Sequence, residues 1–515
     1  MNKSSNILKI ALFATGLSGI VAEYVLSTLA TYFLGDSVFQ FTMIVSIMLF
    51  SMGLGSRFSK SIDDNLLIKF ILLEFSLSIL TSFVSLITYW SATYYSLTGV
   101  VIYSMSILIG LLIGMEIPIA VRLNDKFESL KVNVSSILEN DYYGSLLGGV
   151  FFAFIGLPYL GLAHTPFILG TINLLVAFGL LFTLRKEIKI NRLKSLITLG
   201  LAVTATIALG SIFVEKVISY GESQRYKDRV VFEEQTKYQK IVITKSNSDF
   251  WLFINGNQQM STIDEVMYHE PLVHPAMMYT KAPKNILVLG GGDGAAVREI
   301  LKYSSVNDIT LVDLDPVITE LGKTNSLLTE MNGNALNNEK VNIINTDAFT
   351  FIEKNTSYYD VIIIDLPDPK TIELGRMYSM EFYTMCYKRL RPNGAIVTQA
   401  GSPYYANKAF QCINKSMMSG GFTTAPIHNQ VITLGEWGWI IGVKNTKENT
   451  TLKKRLQSLT FNHIETQWIN NESMGLITSF GKNVFIKDTT EVIEINKVHN
   501  PVLYKYYLNG DWDIY

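Results

Sequence analysis

Five aspartates, Asp293, Asp313, Asp347, Asp365 and Asp368, carry the clearest chemical signal in this 515-residue chain. Carboxylates gathered in one cleft attract a cation, and each can accept a hydrogen bond or a proton. Asp293 stands inside GGGDG at 290–294, within the run NILVLGGGDGAAVREILKYSSVNDITLVDLD from Asn285 to Asp315. That run reads as an apolar strand, a glycine turn, a helix and a second strand ending in acid, the opening unit of a doubly wound sheet that binds an adenosine-containing cofactor. The glycines at 290, 291, 292 and 294 let the backbone approach a ligand where a Cβ would collide. Asp313 ends the second strand, where it can accept hydrogen bonds from ribose hydroxyls. Asp365 and Asp368 share the segment DLPDP at 365–369, whose prolines hold the loop extended. Cys386 and Cys412 are the only cysteines, without metal-ligand spacing, so neither a zinc site nor a disulfide framework is expected.

These acids need strands to present them. From about Tyr226 the chain alternates in short runs, RVVFEEQ, QKIVITKS and DFWLFING, with a turn signal at Asn255-Gly256. Residues 226–262 are read as a small antiparallel cap. A helical stretch, DEVMYHEPLVHPAMMY, carries Tyr268 and His269. Parallel strands are expected near 308–313, 341–345, 360–365 and 395–399 with helices between them. The fold class is therefore Rossmann-like α/β of the methyltransferase type, doubly wound, with an antiparallel β cap. Asp293, Asp313, Asp347 and Asp365 then fall at the carboxyl ends of strands, where ligands bind in such sheets.

The first 215 residues differ in kind, holding 13 of the 43 Lys and Arg residues. Apolar runs near 7–34, 38–58, 66–90, 95–121, 139–160, 163–184 and 195–215 approach or exceed the roughly 20 residues that cross about 30 Å of hydrocarbon as a helix. The first run is too long and too weakly basic at its start for a cleaved signal peptide. Basic clusters at 3–9, 57–69, 122–131 and 185–194 alternate with connections near 35, 92 and 162 that have none. This places the amino terminus and six spans in a cytoplasmic-start topology. A seventh crossing would put the carboxyl-terminal half outside, where a nucleoside is not expected. Either 195–215 lies at the interface or the parity changes elsewhere, and both arrangements stay open. The expected organisation is a helical multi-pass membrane domain over 1–215, a linker and β cap over 216–262, a Rossmann-like domain over 263–445 and an extension over 446–515. SMGLGS at 51–56 and GSLLGG at 144–149 suit close helix packing.

Each feature also has a plainer reading. A glycine turn with an acid about 20 residues later is shared by NAD enzymes and methyltransferases. Asp347 could simply cap a helix beginning at Ala348. Tyr268 and His269 could be core or surface residues. Glu23, Glu74, Glu116 and Asp141, inside or at the edge of spans, either line a route for a cation or sit protonated against neighbouring backbone. A net charge of -1 gives no general affinity for nucleic acid.

Taken in order, YQ at 238–239, ING followed by Gln259, DE at 264–265, YHE at 268–270, GGGDG, the acid at 313, DA at 347–348 and DLPDP make residues 226–445 similar to the polyamine aminopropyltransferases, the spermidine synthase family. With its helical first half the chain resembles a membrane-bound branch of that family. The resemblance implies transfer of the aminopropyl group of decarboxylated S-adenosylmethionine to a primary amine such as putrescine, releasing methylthioadenosine and giving spermidine or a related polyamine. No tightly bound cofactor and no metal is implied. Asp365 would be the general base, assisted by Tyr268. His269, Asp293, Asp365 and Asp368 would hold the amine. Gln239, Gly290, Gly292, Asp313, Asp347 and Ala348 would bind the nucleoside co-substrate. The partners are then these two small molecules and a lipid bilayer, and a homodimer or higher homo-oligomer is compatible with the reading.

Two departures bear on the acceptor amine. In soluble relatives serine or threonine pairs precede DP and a proline follows in a GP step; here Leu366-Pro367 and Ile372 stand instead. The later PTY segment reads ITL at 432–434, without its tyrosine. The rival functions are a polyamine transporter or sensor with a synthase-like ligand-binding domain, and an S-adenosylmethionine-dependent methyltransferase.

Overall fold

The computed structural model describes residues 3–35, 37–94, 97–444, 449–481, 484–485 and 492–512. The extension expected over 446–515 therefore lies partly outside the described residues. The chain forms two compact units, Met1–Asp228 and Arg229–Tyr515.

The first unit consists of helices α1 (Lys3–Leu34), α2 (Ser37–Phe58), α3 (Leu66–Tyr94), α4 (Thr98–Asn124), α5 (Leu130–Phe151), α6 (Gly161–Thr183) and α7 (Ile190–Arg225). Among the described residues six helical runs are long and apolar enough to cross a membrane, judged by length and composition. The seven expected segments become six because 139–160 and 163–184 belong to one run over 130–183. A π-helical stretch, Phe152–Leu160, accommodates Pro158 and carries the helix on to Gly161, whose φ of +62° interrupts its course. Around a largely apolar interior the outer surface is apolar too, unlike that of a water-soluble bundle. Leu146, Phe154, Tyr159 and Ile212 are 70%, 70%, 82% and 68% exposed, whereas Glu74, Glu116, Ser78 and Asn173 are fully buried. Two of the buried polar groups bond between helices: Ser78 Oγ donates to the Gly170 carbonyl at 2.5 Å, and Ser18 Oγ to Asn173 Oδ1 at 2.7 Å. Gly144 shows why the small-residue faces matter, since a Cβ there would lie 1.9 Å from the Phe13 carbonyl oxygen of α1.

The second unit opens with β1 (Arg229–Gln235), β2 (Lys240–Ser246), β3 (Asp249–Ile254) and β4 (Asn257–Ser261), an antiparallel sheet in sequential order. Asn255 and Gly256 turn β3 into β4 with positive φ, as the Asn-Gly pair requires. Helix α8 (Val266–Thr280) leads into the main sheet: β5 (Asn285–Gly290), β6 (Asp308–Asp313), β7 (Val341–Asn345), β8 (Tyr359–Asp365), β9 (Leu390–Gln399), β10 (Thr423–Val431) and β11 (Gly435–Val443). Its order is β10-β11-β9-β8-β5-β6-β7. The five parallel strands fall where expected, but the hairpin β10–β11 runs antiparallel and extends the β9 edge, so the sheet is mixed.

Period-two alternation buries both faces. Ile286, Val288 and Ile363 pack on one side, Leu287, Leu289, Ile362 and Ile364 on the other. Strand order reverses at β5, with β6 on one side and β8 on the other. A crevice opens at such a switch point, at the carboxyl ends of the strands. Gly290 and Asp365 are register partners at that spot.

Candidate active site

The glycine turn is shaped as much by its neighbours as by any ligand. Gly290 has φ +82°, and a Cβ on it would lie 2.0 Å from the Asp365 carbonyl oxygen. At Gly292 a Cβ would lie 2.8 Å from Asp313 Oδ2. Glycine therefore lets β5 end between two acid-bearing strands. The Gly292 N–H donates to Asp313 Oδ2 at 3.1 Å and the Asp315 N–H to Oδ1 at 3.0 Å. Burial outweighs these bonds and pushes the Asp313 carboxyl up to about 6.

Gln239 sits in the turn between β1 and β2. Thr236 closes that turn by accepting the Gln239 N–H at 3.0 Å, and its hydroxyl donates to Asp315 Oδ2 at 2.7 Å. The cap turn is thereby tied to the acidic end of β6. Asp347 is the N-cap of the helix Ala348–Lys354: Oδ2 accepts from the Thr350 N–H at 2.9 Å and its hydroxyl at 2.7 Å, and Arg376 pairs with Oδ1 at 2.6 Å. The capping reading of Asp347 is thus correct as structure, and Ala348 follows, buried, at the helix start.

Asp365 is the centre of the crevice. Tyr268 on α8 donates its hydroxyl to Oδ1 at 2.9 Å, its ring held edge-on against Trp439 of β11 at 5.3 Å. His269 Nε2 stands 3.9 Å from Oδ2, and His269, Asp293 and Asp365 converge within 4.8 Å. Burial raises the Asp365 carboxyl to about 6, with the His269 charge holding it down and Asp293 pushing it up. For His269 burial disfavours the cation, yet Glu265, bonded at Nδ1 at 2.9 Å, and the two aspartates lift it to about 9. Glu265 is in turn clamped by Arg298 at 2.7 and 3.0 Å. Between about pH 6 and 9 the pair is therefore carboxylate and imidazolium. Asp293 uses Oδ1 to accept the Ala295 N–H at 2.8 Å and opens helix 295–301.

Asp368 lies on the loop after β8, and this loop is held by residues that sequence reasoning missed. Gln399, at the end of β9, donates to the Leu366 carbonyl at 2.8 Å and to the Tyr378 hydroxyl at 2.6 Å. Tyr378 donates in turn to the Leu366 and Pro367 carbonyls, at 3.1 and 3.0 Å. Burial raises the Asp368 carboxyl, against the opposing pull of Lys370 at 4.0 Å and of hydrogen bonds from Tyr507 and Gln399. Only the strand-end position of Gln399 carried a signal; nothing local marks Tyr378 or Tyr507. Thr433, in the ITL segment, is also in use: its N–H and hydroxyl go to Asp264 at 2.5 and 3.1 Å. Glu270 of YHE faces elsewhere, accepting the backbone N–H groups of Gln467, Trp468 and Ile469 at 2.7 to 2.8 Å.

The geometry describes an acidic crevice in which burial raises the Asp365 and Asp313 carboxyls, beside a glycine turn fit for a nucleoside. It suits activation of an amine, because Asp365 can accept a proton while Tyr268 and His269 hold its orientation.

Comparison with known proteins bears on the family of the chain. Residues 265–454 match the family described as spermine/spermidine synthase domain. The chain is 40% identical over 506 residues to polyamine aminopropyltransferase 2 of Aquifex aeolicus (strain VF5), covering 98% of each chain. It is 36% identical over 514 residues to the polyamine aminopropyltransferase of Oceanobacillus iheyensis, again covering 98% of each. The crystal structure of spermidine synthase from Thermotoga maritima aligns with 50% of this chain and 86% of its own, at 25% identity and a TM-score of 0.44.

Proposed function

The chain belongs to the spermine/spermidine synthase family of polyamine aminopropyltransferases, and from that premise we propose the following course for its reaction. The enzyme transfers the aminopropyl group of decarboxylated S-adenosylmethionine to a primary amine, giving spermidine when the amine is putrescine. The co-substrate is consumed in each turnover and no tightly bound cofactor takes part.

The sulfonium supplies its own leaving group. The amine lone pair attacks the methylene next to sulfur, the C–S bond breaks with its electrons going to sulfur, and neutral methylthioadenosine leaves. What the protein must provide is a free amine in line, since an alkylammonium near pKa 10 is almost wholly protonated at neutral pH. Asp365 takes that proton. Its two oxygens are held by Tyr268 and faced by His269, so one orientation is fixed before the amine arrives. Asp293 and Asp368 hold cationic nitrogens of the acceptor. His269, itself cationic, is better suited to keeping Asp365 ionised than to touching an ammonium directly. Asp313 and Gln239 receive the ribose and neighbouring atoms of the nucleoside, Gly290 and Gly292 let its thioether part approach, and Asp347 with Ala348 borders the adenine. Ordering both reactants can remove roughly 7 to 11 kcal/mol from such a barrier.

The observation that carries this reading is the part-buried Asp365 carboxylate, in register with Gly290 and bonded to Tyr268. Its test is methylthioadenosine release from decarboxylated S-adenosylmethionine and putrescine, compared between wild type and Asp365→Asn.

The helical unit is proposed to lie in a membrane, with the catalytic unit on the cytoplasmic side, where the nucleoside is. Its large exposed apolar side chains and buried polar ones support this reading, because hydrocarbon reverses the usual sorting. A reporter fused after Tyr515 gives the side; an external signal refutes the cytoplasmic placement. A second reading, that this unit also passes a cation, is favoured by Glu74 and Glu116, fully buried on α3 and α4. Wild-type proteoliposomes that show no polyamine flux would remove it, and flux unchanged by Glu74→Gln and Glu116→Gln would remove these two residues from the route.

A further inference from the structure

The matched family segment ends at residue 454, yet the chain returns to the amine end of the crevice. In the short helix Leu503–Leu508, Tyr507 is 3% exposed and its hydroxyl donates to Asp368 Oδ2 at 2.6 Å, a contact spanning 139 residues of sequence. The helix is anchored there. Asn496 Oδ1 accepts the N–H groups of Val502 and Leu503 at 3.2 and 3.3 Å, while its amide donates to the Gly375 carbonyl at 2.8 Å. The Tyr507 ring packs on Trp512 at 4.7 Å, and the indole N–H donates to the Tyr507 carbonyl at 2.7 Å. On another side the ring approaches bare backbone: a Cβ on Gly401 would lie 3.4 Å from it. A cation already stands at this spot, Lys370 Nζ, 4.0 Å from Asp368 and 5.9 Å from the centre of the Tyr507 ring.

We propose that Tyr507 is a specificity-determining residue of the acceptor site, orienting Asp368 to seat the distal ammonium of a short diamine. This rests on the aminopropyltransferase reading above. A diamine must lose a proton at its attacking end and keep one at the other. The kept charge needs a fixed carboxylate, and a phenol bonded to Oδ2 fixes it, while Oδ1, which accepts only a long bond from Gln399 at 3.4 Å, keeps a lone pair for the ammonium. An aromatic face beside that position adds attraction for a cation. The pocket thus recovers, from a distant part of the chain, a tyrosine hydroxyl at the amine, although Thr433 occupies the ITL segment without one.

The same bond favours the ionised form of Asp368. The other groups facing Asp368 are Lys370 on its own loop, Gln399 of β9, Tyr378, and, across the crevice, Tyr268 with Asp365. None of them changes in a Tyr507→Phe variant, so a shift in pH dependence reports the lost hydroxyl.

The test uses the full chain in detergent or vesicles, with putrescine and with butylamine, which lacks the distal ammonium. Tyr507→Phe should raise KM for putrescine by about ten- to a hundredfold, the range for a hydrogen bond to a charged group. It should leave KM for decarboxylated S-adenosylmethionine within about twofold and reduce the preference for putrescine over butylamine by a similar factor. The acid limb of kcat/KM for putrescine should move to higher pH. In an Asp368→Asn background the same substitution should add nothing. If Tyr507→Phe fails to accumulate, Trp512→Leu, which removes the stacking partner, should raise KM for putrescine alone. An unchanged putrescine KM and unchanged diamine preference in active variants overturn the proposal. Absence of methylthioadenosine from wild type overturns the parent reading and this one with it.

Discussion

Replacing His269 with glutamine tests whether a charge, rather than a shape, keeps Asp365 ready as a base. The imidazolium stands 3.9 Å from the carboxylate; opposite unit charges at that distance attract by about 4 kcal/mol at an effective dielectric of 20. Divided by 1.36 kcal/mol per unit, this caps the effect at about three pH units. The observed shift should be smaller, about one to two units, because the glutamine amide can donate a neutral hydrogen bond and water can enter beside it. The sign follows from which form the charge favours. His269 stabilises the ionised carboxylate, so its removal raises the Asp365 pKa above the present value of about 6. The enzyme then needs a higher pH to reach full rate. The assay is methylthioadenosine release at saturating putrescine, where binding at Asp368 drops out, measured across pH 5 to about 9. Wild type should rise through about pH 6, and His269→Gln through a value about one to two units higher, with a plateau within about tenfold. A variant with the wild-type acid limb and a uniformly lowered rate would refute the electrostatic role and leave His269 as packing.

Tyr268→Phe deletes the 2.9 Å donor to Asp365; kcat should fall roughly tenfold to a hundredfold and the acid limb should again move upward, while steady-state kinetics show little change in KM for the co-substrate. Gly290→Ala would drive a Cβ to 2.0 Å from the Asp365 carbonyl oxygen at a φ of +82°, so thermal unfolding should show a loss of at least about 2 kcal/mol together with activity. Gly375→Ala, with nothing within 4 Å of the added carbon, is the matched control and should do neither.

Much of the site is legible in sequence because parallel strands announce themselves and place their last residue at the crevice. Asp313 and Asp365 end β6 and β8 as read, and the GGGDG turn follows β5. The glycines were legible as a need for close approach, but the atoms approached include Asp365 and Asp313 themselves. The hairpin β10–β11 was missed: its strands, TTAPIHNQV and GEWGWIIGV, carry the right residues, yet their antiparallel placement on β9 follows from sheet-edge packing, which no local period encodes. Gln399, Tyr378 and Tyr507 were missed for a related reason. Each reaches the loop 365–369 through contacts 11 to 139 residues away in sequence, and a tyrosine in a short apolar helix reads as core. In the helical unit, the two apolar runs read near 139–160 and 163–184 form one continuous apolar stretch over 130–183, with a π-helical segment around Pro158 between them.

The central claim is that Asp365 frees an amine for attack on decarboxylated S-adenosylmethionine. Its most direct measurement is methylthioadenosine formed per enzyme with putrescine, in wild type and in Asp365→Asn, at a pH well above 6. Wild type should turn over and yield spermidine in equal amount, and Asp365→Asn should be slower by about 10² to 10⁴ with its fold intact. Turnover at the wild-type rate in Asp365→Asn, or a wild-type protein that forms no methylthioadenosine, would contradict the account.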